Sequence, residues 1–180
     1  MLTTPRTFVR FCRDKRGVSA VEFALLAPLM IGLYLGCVEI SEGVGADRKV
    51  SLTAAALANL TAQVSTISAS DMTNILDASS AIISPYAAGN LKITVSCIAI
   101  DSSKNATVKW SVTRGGTALS GSPTLPSALT VASTQLIFAQ VSYAYTPTVG
   151  YTITGTLNLS DQMYMSPRVS APAYAGTACT

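Results

Sequence analysis

The sequence lacks the residues on which most enzyme and metal sites depend. Its 180 residues include no histidine, and only 12% of them are charged. Histidine is the commonest general base and the commonest protein metal ligand. The four cysteines do not have zinc-site spacing, and no phosphate loop, carboxylate pair or nucleophile–base pattern occurs. We therefore expect no enzyme activity, no metal and no cofactor.

Positive charge is scarce except at the N-terminus. Five of the twelve Lys and Arg residues precede Gly17, where Asp14 is the single acid. The rest of the chain carries seven basic and eight acidic side chains. No basic patch there would attract nucleic acid, so we expect no nucleic-acid partner.

Directly after the basic segment comes a long apolar run. It extends from Val18 to Val38 and contains one charged residue, Glu22. A helix of this length measures about 31 Å, enough to cross the hydrocarbon core of a membrane. Because basic flanks stay in the cytoplasm, the N-terminus should lie inside and the remaining chain outside.

The carboxylate of Glu22 is costly in such a run. Charges of this kind cost roughly 2.5–3.5 kcal/mol at the centre of a membrane helix, and no Lys, Arg or His lies between Val18 and Arg48. A cut between Gly17 and Val18 would create a positive α-amino group one helical turn from Glu22. We predict that the carboxylate of one subunit pairs with the terminal amine of its neighbour in an assembly.

This order of features resembles the class III signal of type IV prepilins. The stretch RGVSAVEFALLAPLMI is, more narrowly, similar to the opening of the TadE/TadG-like proteins of tight-adherence (Tad, Flp) pilus systems, in which RG-x-x-A-V-E-F-A-L-x-x-P recurs. The matching residues are Gly17, Ala20, Val21, Glu22, Phe23, Ala24, Leu25 and Pro28. Looser similarities follow at Pro85-Tyr86, Trp110-Ser111, Tyr143 to Pro147 and Pro167-Arg168.

The resemblance implies a minor pilin or pseudopilin that takes part in assembly of a Tad-type type IVb pilus and in adhesion. A prepilin peptidase would cut between Gly17 and Val18, with N-methylation of the new terminus, and Glu22 would be the assembly carboxylate. The implied partners are that peptidase, other Tad pilus subunits, the inner-membrane platform and membrane lipid. The implied location is the bacterial inner membrane, with the C-terminal domain periplasmic or in an extracellular pilus. The chain is shorter than the usual TadG, which favours the TadE side.

Two alternatives remain open from the sequence. The run could be an uncut signal anchor for a periplasmic domain that binds an envelope component without joining a filament. Leu35-Gly36-Cys37 is also a partial lipobox, which would make Cys37 a lipidated N-terminus, although Tyr34 stands where a branched aliphatic residue is expected.

Helical periodicity continues beyond the apolar run. Apolar or small residues recur at spacings of four and three, which favours one long helix from residue 18 to about 67. We expect Ser70 to cap a second helix that begins at Asp71, and Pro85 to end it. The residues of the predicted long-helix face are Val50, Ala54, Leu57, Thr61 and Val64.

From Leu91 the apolar residues alternate with a period of two, as in half-buried strands. LKITVSCIAI and TVKWSVTR should form a hairpin, with Val108, Trp110 and Val112 facing inward. QLIFAQVSYAYT and residues 156–165 should add two strands, although Asp161 falls on the apolar side of the last one. Gly115 to Thr134 should form a surface loop available for contacts.

These elements predict an α+β, pilin-like fold. A long helix and a short helix should pack on one face of an antiparallel sheet of about four strands. The expected regions are a leader (1–17), a membrane helix (18–38), a helical extension (39–90) and an exported sheet region (91–180). Cys97 and Cys179 would both reach the oxidising outside, so we predict that they form a disulfide, the alternative being two free thiols.

Overall fold

The computed structural model describes residues 17–147 and 155–180. The predicted leader therefore lies outside the described residues, apart from Gly17. Within the described residues the order is α1, β1, α2 and then β2 to β6, so the predicted α+β class is confirmed. The elements are α1 Val18–Ala62, β1 Thr66–Ile67, α2 Ala69–Ala81, β2 Leu91–Ile100, β3 Ala106–Arg114, β4 Thr134–Tyr145, β5 Leu157–Met165 and β6 Ala173–Tyr174.

Helix α1 is continuous for 45 residues, which makes it about 68 Å long. Its first half is exposed, whereas its second half buries one face against the sheet and α2. The predicted long helix is thus confirmed, except that it ends at Ala62 instead of near residue 67. Four of the five predicted face residues are fully buried, and Val64 is not, because it lies beyond the helix end.

Helix α2 begins earlier than its sequence suggested. Its N-cap is Ser68, whose Oγ accepts a hydrogen bond from the Asp71 N–H at 3.1 Å. The Asp71 carboxylate accepts in return from the Ser68 N–H at 3.1 Å, which completes a capping box. The predicted Ser70 cap is wrong because the Ser-x-x-Asp spacing satisfies two helix-end groups at Ser68, whereas Ser70 lies inside the first turn.

We expect Ser68→Ala to lower the free energy of unfolding by about 1 kcal/mol, the usual cost of losing an N-cap. The same substitution at Ser70 should cost less than half as much, because Ser70 caps nothing. Urea unfolding of the detergent-solubilised chain, followed by circular dichroism, measures both. Equal losses in the two variants would contradict the observed cap.

The main sheet is antiparallel, with strand order β3-β2-β4-β5. Alternate residues of β2 and β4 face α1 and α2 and form the main core with the buried stripe of α1. This is the predicted arrangement of helices on a four-stranded sheet. The sheet residues of this core are Leu91, Ile93, Val95, Cys97, Trp110, Ile137, Ala139, Val141, Tyr143, Tyr145 and Leu159.

A β-bulge changes the face of one predicted inward residue. Cys97 lies opposite Trp110, but Ile98 lies opposite Val108, so Lys109 is an extra residue in β3. Val108 therefore packs on the outer face of the sheet, not beside Trp110 in the main core. The prediction that Val108 faces inward is wrong, because it assumed strict alternation and the bulge shifts the alternation by one residue.

The outer face of the sheet has a small core of its own, which corrects the prediction of a one-sided sheet. Its buried members are Ile98, Ile100, Ala106, Leu136 and Phe138. The loop between β3 and β4 covers them with three partly buried leucines, Leu119, Leu125 and Leu129. Part of this loop is therefore an intramolecular cover rather than the exposed contact loop expected from its composition.

Strand β5 is an edge strand, and Asp161 lies in the middle of it opposite Val141. Val141 is fully buried on the helix side, so Asp161 is on the apolar side, as its sequence position indicated. The carboxylate accepts a hydrogen bond from the Gln162 N–H at 2.7 Å. Charged residues at inward positions discourage an edge strand from pairing with another chain, which gives this charge a structural reason.

The C-terminal segment closes the fold as a strap over the end of α1. The Arg168 N–H donates to the Ala62 carbonyl at 2.9 Å, and β6 pairs in parallel with β1. Trp110 donates from Nε1 to the Pro172 carbonyl at 2.9 Å. A disulfide joins Cys179 to Cys97 in β2, with the two Cα atoms 6.0 Å apart. We call residues 168–179 the C-terminal strap.

Candidate functional site

The predicted cut site lies at the exposed start of α1. Gly17 is the N-cap residue, has an ordinary helical conformation (φ −85°, ψ −10°) and receives no side-chain cap. A Cβ added there would meet no heavy atom within 4 Å. The fold of this chain therefore does not require glycine at position 17, so any requirement for it has to come from a partner.

Glu22 lies one helical turn after Val18 on this exposed part of the helix. None of the hydrogen bonds or ion pairs found among the described residues involves its carboxylate. The neighbouring side chains are large, apolar and exposed, including Phe23 at 68% and Leu25 at 74%. Because they are four residues apart, Val18 and Glu22 lie on the same side of the helix. A neighbouring copy packed against that side could therefore reach both positions.

The exposed surface of α1 needs a non-aqueous environment. Within the described residues, α1 is the one helix long and apolar enough to cross a membrane, with a best 18-residue window of mean hydropathy 2.0 that is 6% buried. A large continuous apolar surface of this kind marks contact with lipid or another protein. A single N-terminal helix with these properties is consistent with a membrane anchor.

Three tyrosines fasten the sheet to α1 just beyond the apolar run. Tyr86, Tyr143 and Tyr145 form this tyrosine collar, with the Tyr86 ring 6.3 Å from Tyr143 and 6.0 Å from Tyr145. The Tyr86 hydroxyl donates to the Glu42 carbonyl at 2.9 Å. The Tyr145 hydroxyl lies 3.5 Å from Glu42 Oε2, at the limit of a hydrogen bond. The collar therefore holds the sheet at a defined height above the apolar part of the helix.

The collar packs on small residues and beside acidic ones. A Cβ on Gly45 would lie 3.1 Å from the Tyr86 hydroxyl, so a larger residue would push this ring away. Burial, together with the charge of Glu42, raises the pKa of Tyr86 and of Tyr145 above the usual range. Both phenols thus remain protonated and able to donate at neutral pH. Glu39, 1% exposed, lies one turn earlier at the end of the apolar run.

The sequence analysis did not predict the tyrosine collar. Two sequence features could have indicated it: Pro85-Tyr86 follows α2, and Gly43 and Gly45 lie within the predicted long helix. Both glycines lie in unbroken helix, and Gly45 makes room for the Tyr86 ring.

The other predicted site residues lie far along the chain from the helix start. Cys97 and Cys179 meet in the disulfide described above, and Cys37 is a free, exposed cysteine on α1. No group of three His, Cys, Asp or Glu residues within residues 17–147 and 155–180 is placed to hold a metal ion. What the described residues offer is therefore an exposed apolar helix with one carboxylate, held rigidly on a sheet domain.

A comparison with known protein families gives a match over this helix. A family model described as TadE-like protein matches residues 17–58. The match begins at Gly17, includes Glu22 and ends within the buried half of α1, before the sheet begins. No curated protein and no solved structure matches the chain significantly.

Proposed function

We propose, from the match of residues 17–58 to the TadE-like family model, that the chain is a minor pilin or pseudopilin that takes part in assembling a Tad-type type IVb pilus and in surface attachment. The family is one of pilus-associated structural proteins, not of enzymes, and it connects the chain with other Tad pilus components. The observation that supports the finer role most strongly is the exposed position of Glu22, one turn after Val18 on an apolar helix.

In this proposal the chain is made as a precursor anchored in the bacterial inner membrane. Residues 1–17 form the cytoplasmic leader, residues 18–38 span the bilayer, residues 39–90 form the helical extension and residues 91–180 form the exported sheet region. The many basic residues before Gly17 keep the N-terminus in the cytoplasm. The prepilin peptidase and the inner-membrane platform are the proposed partners on that side.

Cutting between Gly17 and Val18 then creates a positively charged α-amino group, which can pair with the Glu22 carboxylate. In a packed assembly the new α-amino group of one subunit meets the Glu22 carboxylate of the next. Pairing offsets much of the cost of keeping a carboxylate among apolar side chains. At the same step, the exposed apolar side chains of α1 lose their contacts with lipid and gain contacts with neighbouring helices.

The disulfide also fits an exported domain. Disulfides persist outside the cytoplasm and are rare within it. We propose that Cys97 and Cys179 bond after export and secure the C-terminal strap. Cys37 would remain a small apolar residue near the outer end of the membrane span.

The proposal is tested by replacing Gly17. We expect Gly17→Leu to accumulate as an uncut precursor, because the peptidase must accept a small residue at the cut site. Since a Cβ at position 17 would meet no other described residue within 4 Å, misfolding should not cause the effect. Intact mass of the membrane-extracted protein measures it, the precursor being heavier by residues 1–17.

Gly32→Leu is the matched control, because a Cβ at position 32 also meets nothing within 4 Å. It should be cut normally at Gly17. The same mass measurement separates the alternatives. A wild-type chain that retains residues 1–17 would favour the uncut signal anchor, and an acylated N-terminus at Cys37 would favour the lipoprotein.

A further inference from the structure

The outer face of the sheet carries a polar groove that the pilin role does not use. Two adjoining cavities lie there, with volumes of about 290 and 350 Å³, and Gln140 lines both. We call the pair the outer groove. Its principal side chains are Lys92, Thr94, Gln140, Ser142, Ser160 and Gln162.

Strand register arranges these side chains in two rows across β2, β4 and β5. Lys92, Ser142 and Ser160 lie opposite one another in one row. Thr94, Gln140 and Gln162 form the next row. Because neighbouring strands are about 4.8 Å apart, each row spans about 10 Å. Hydroxyl and amide groups thus lie at regular intervals, and the β3–β4 loop borders this surface where it contacts Thr94.

One wall of the outer groove is formed by the β3–β4 loop, which packs closely against the sheet. Gly116 in the β3–β4 loop lies so close to the sheet that a Cβ there would be 2.9 Å from Thr113 Oγ1 and 3.1 Å from Thr94 Oγ1. Thr94 Oγ1 is itself held by Thr113 Oγ1 and by the Thr117 carbonyl, each at 3.2 Å. The glycine therefore permits a close approach of loop to sheet, and the threonines fix the wall in place.

The two central amides are available to a ligand. Gln140 and Gln162 are exposed and directly opposite, and neither side-chain amide takes part in a hydrogen bond found among the described residues. Each amide offers two donors and one acceptor. Tyr164, two residues after Gln162 in β5, is held against Phe138 with 5.0 Å between ring centroids. It places an aromatic ring on the same face next to the amide row.

The lining chemistry selects one class of ligand. Apart from glycine, every residue that lines either cavity is polar, which excludes an apolar ligand. Lys92 is the one charged side chain that these lining residues present to the outer face, because Asp161 lies on the helix side of β5, so the groove offers a single positive charge rather than a cluster for an anionic chain. Paired amides, hydroxyls and a neighbouring ring match the hydroxyls and the apolar ring faces of a neutral sugar. We propose that the outer groove binds a neutral polysaccharide chain.

This site lies on the predicted exported domain and does not depend on cleavage at Gly17 or on pilus assembly. It can therefore be tested on the uncut or the cut chain. The full chain, solubilised in a detergent without a sugar headgroup, would be titrated with tetrasaccharides of glucose, mannose, galactose and N-acetylglucosamine. Saturation-transfer NMR detects binding, and a trigalacturonate and inorganic phosphate serve as anionic probes.

We expect at least one neutral tetrasaccharide to bind, and the double variant Gln140→Ala/Gln162→Ala to bind it about tenfold more weakly or worse, since hydrogen bonds from two amides are lost. Gln63→Ala/Asn74→Ala is the matched control, because these exposed amides line a separate cavity beside the helices. It should bind like the wild type. The proposal is overturned if none of the four neutral sugars binds, if only the anionic probes bind, or if the groove variant binds as tightly as the control.

Discussion

Glu22→Ala should insert into the membrane at least as well as the wild type and yet enter assemblies about tenfold less or worse. Insertion improves because a carboxylate within an apolar span costs roughly 2.5–3.5 kcal/mol. Assembly suffers because the α-amino group of a neighbouring subunit would be left buried without its partner, a loss of about 3–5 kcal/mol when one member of a buried pair is removed. Carbonate extraction measures insertion, and the amount of protein in the sheared pilus fraction measures assembly.

Two further variants separate charge from shape. Glu22→Gln keeps the size of the side chain and removes its charge, so it should fail as Glu22→Ala does. Asp47→Ala removes an exposed acid from the same helix beyond the apolar run and should assemble normally. Normal amounts of either Glu22 variant in the pilus fraction would contradict the pairing mechanism, whatever the state of the leader.

Cys179→Ser should lower the free energy of unfolding by about 4 kcal/mol. The disulfide closes a loop across a sequence separation of 82 residues, and cross-links of this span remove roughly this much chain entropy from the unfolded state. The variant also frees the C-terminal strap, which covers the end of α1 and contacts Trp110. Because Trp110 is the chain's one tryptophan, its fluorescence during urea unfolding reports directly on this region.

The control for this prediction is Cys37→Ser, which removes the free, exposed cysteine on α1. It should unfold at the same urea concentration as the wild type. A reducing agent should destabilise the wild type and Cys37→Ser alike and leave Cys179→Ser unchanged. If Cys179→Ser and the wild type unfold together under oxidising conditions, the bond does not stabilise the sheet domain.

Local sequence patterns predicted most of the helices and strands. The apolar run and the spacing of four and three predicted α1, and the period of two predicted β2 to β5, because each pattern follows from the geometry of one element. The same patterns missed the Ser68 cap by two residues and assigned Val108 to the wrong face. In both cases hydrogen bonding decided the outcome: the capping box formed at Ser68, and the bulge left Lys109 without a partner residue in β2. The spacing of hydrophobic residues contains no information about either feature.

For the candidate site, the order of basic residues, Gly17, apolar run and Glu22 was sufficient to predict a resemblance to TadE-like proteins, which the match at residues 17–58 confirms. Cleavage at Gly17 and the role of Glu22 stay predictions. The tyrosine collar and the outer groove were not predictable in this way. The collar unites a helix, a loop and a strand that are 44 to 103 residues apart. The groove depends on the register of three strands and on the path of a loop.

The sequence by itself determined that residues 18–38 form an apolar helical segment with one carboxylate, Glu22, because length, hydropathy and charge are local quantities. Tertiary structure decided what the helix carries: a sheet fastened to it by three tyrosines, a second small core beneath the β3–β4 loop, and a C-terminal strap bonded to β2. Those features rest on contacts between residues distant in sequence. The free energy that stabilises them comes from these tertiary contacts, which cannot be predicted from any single stretch of sequence.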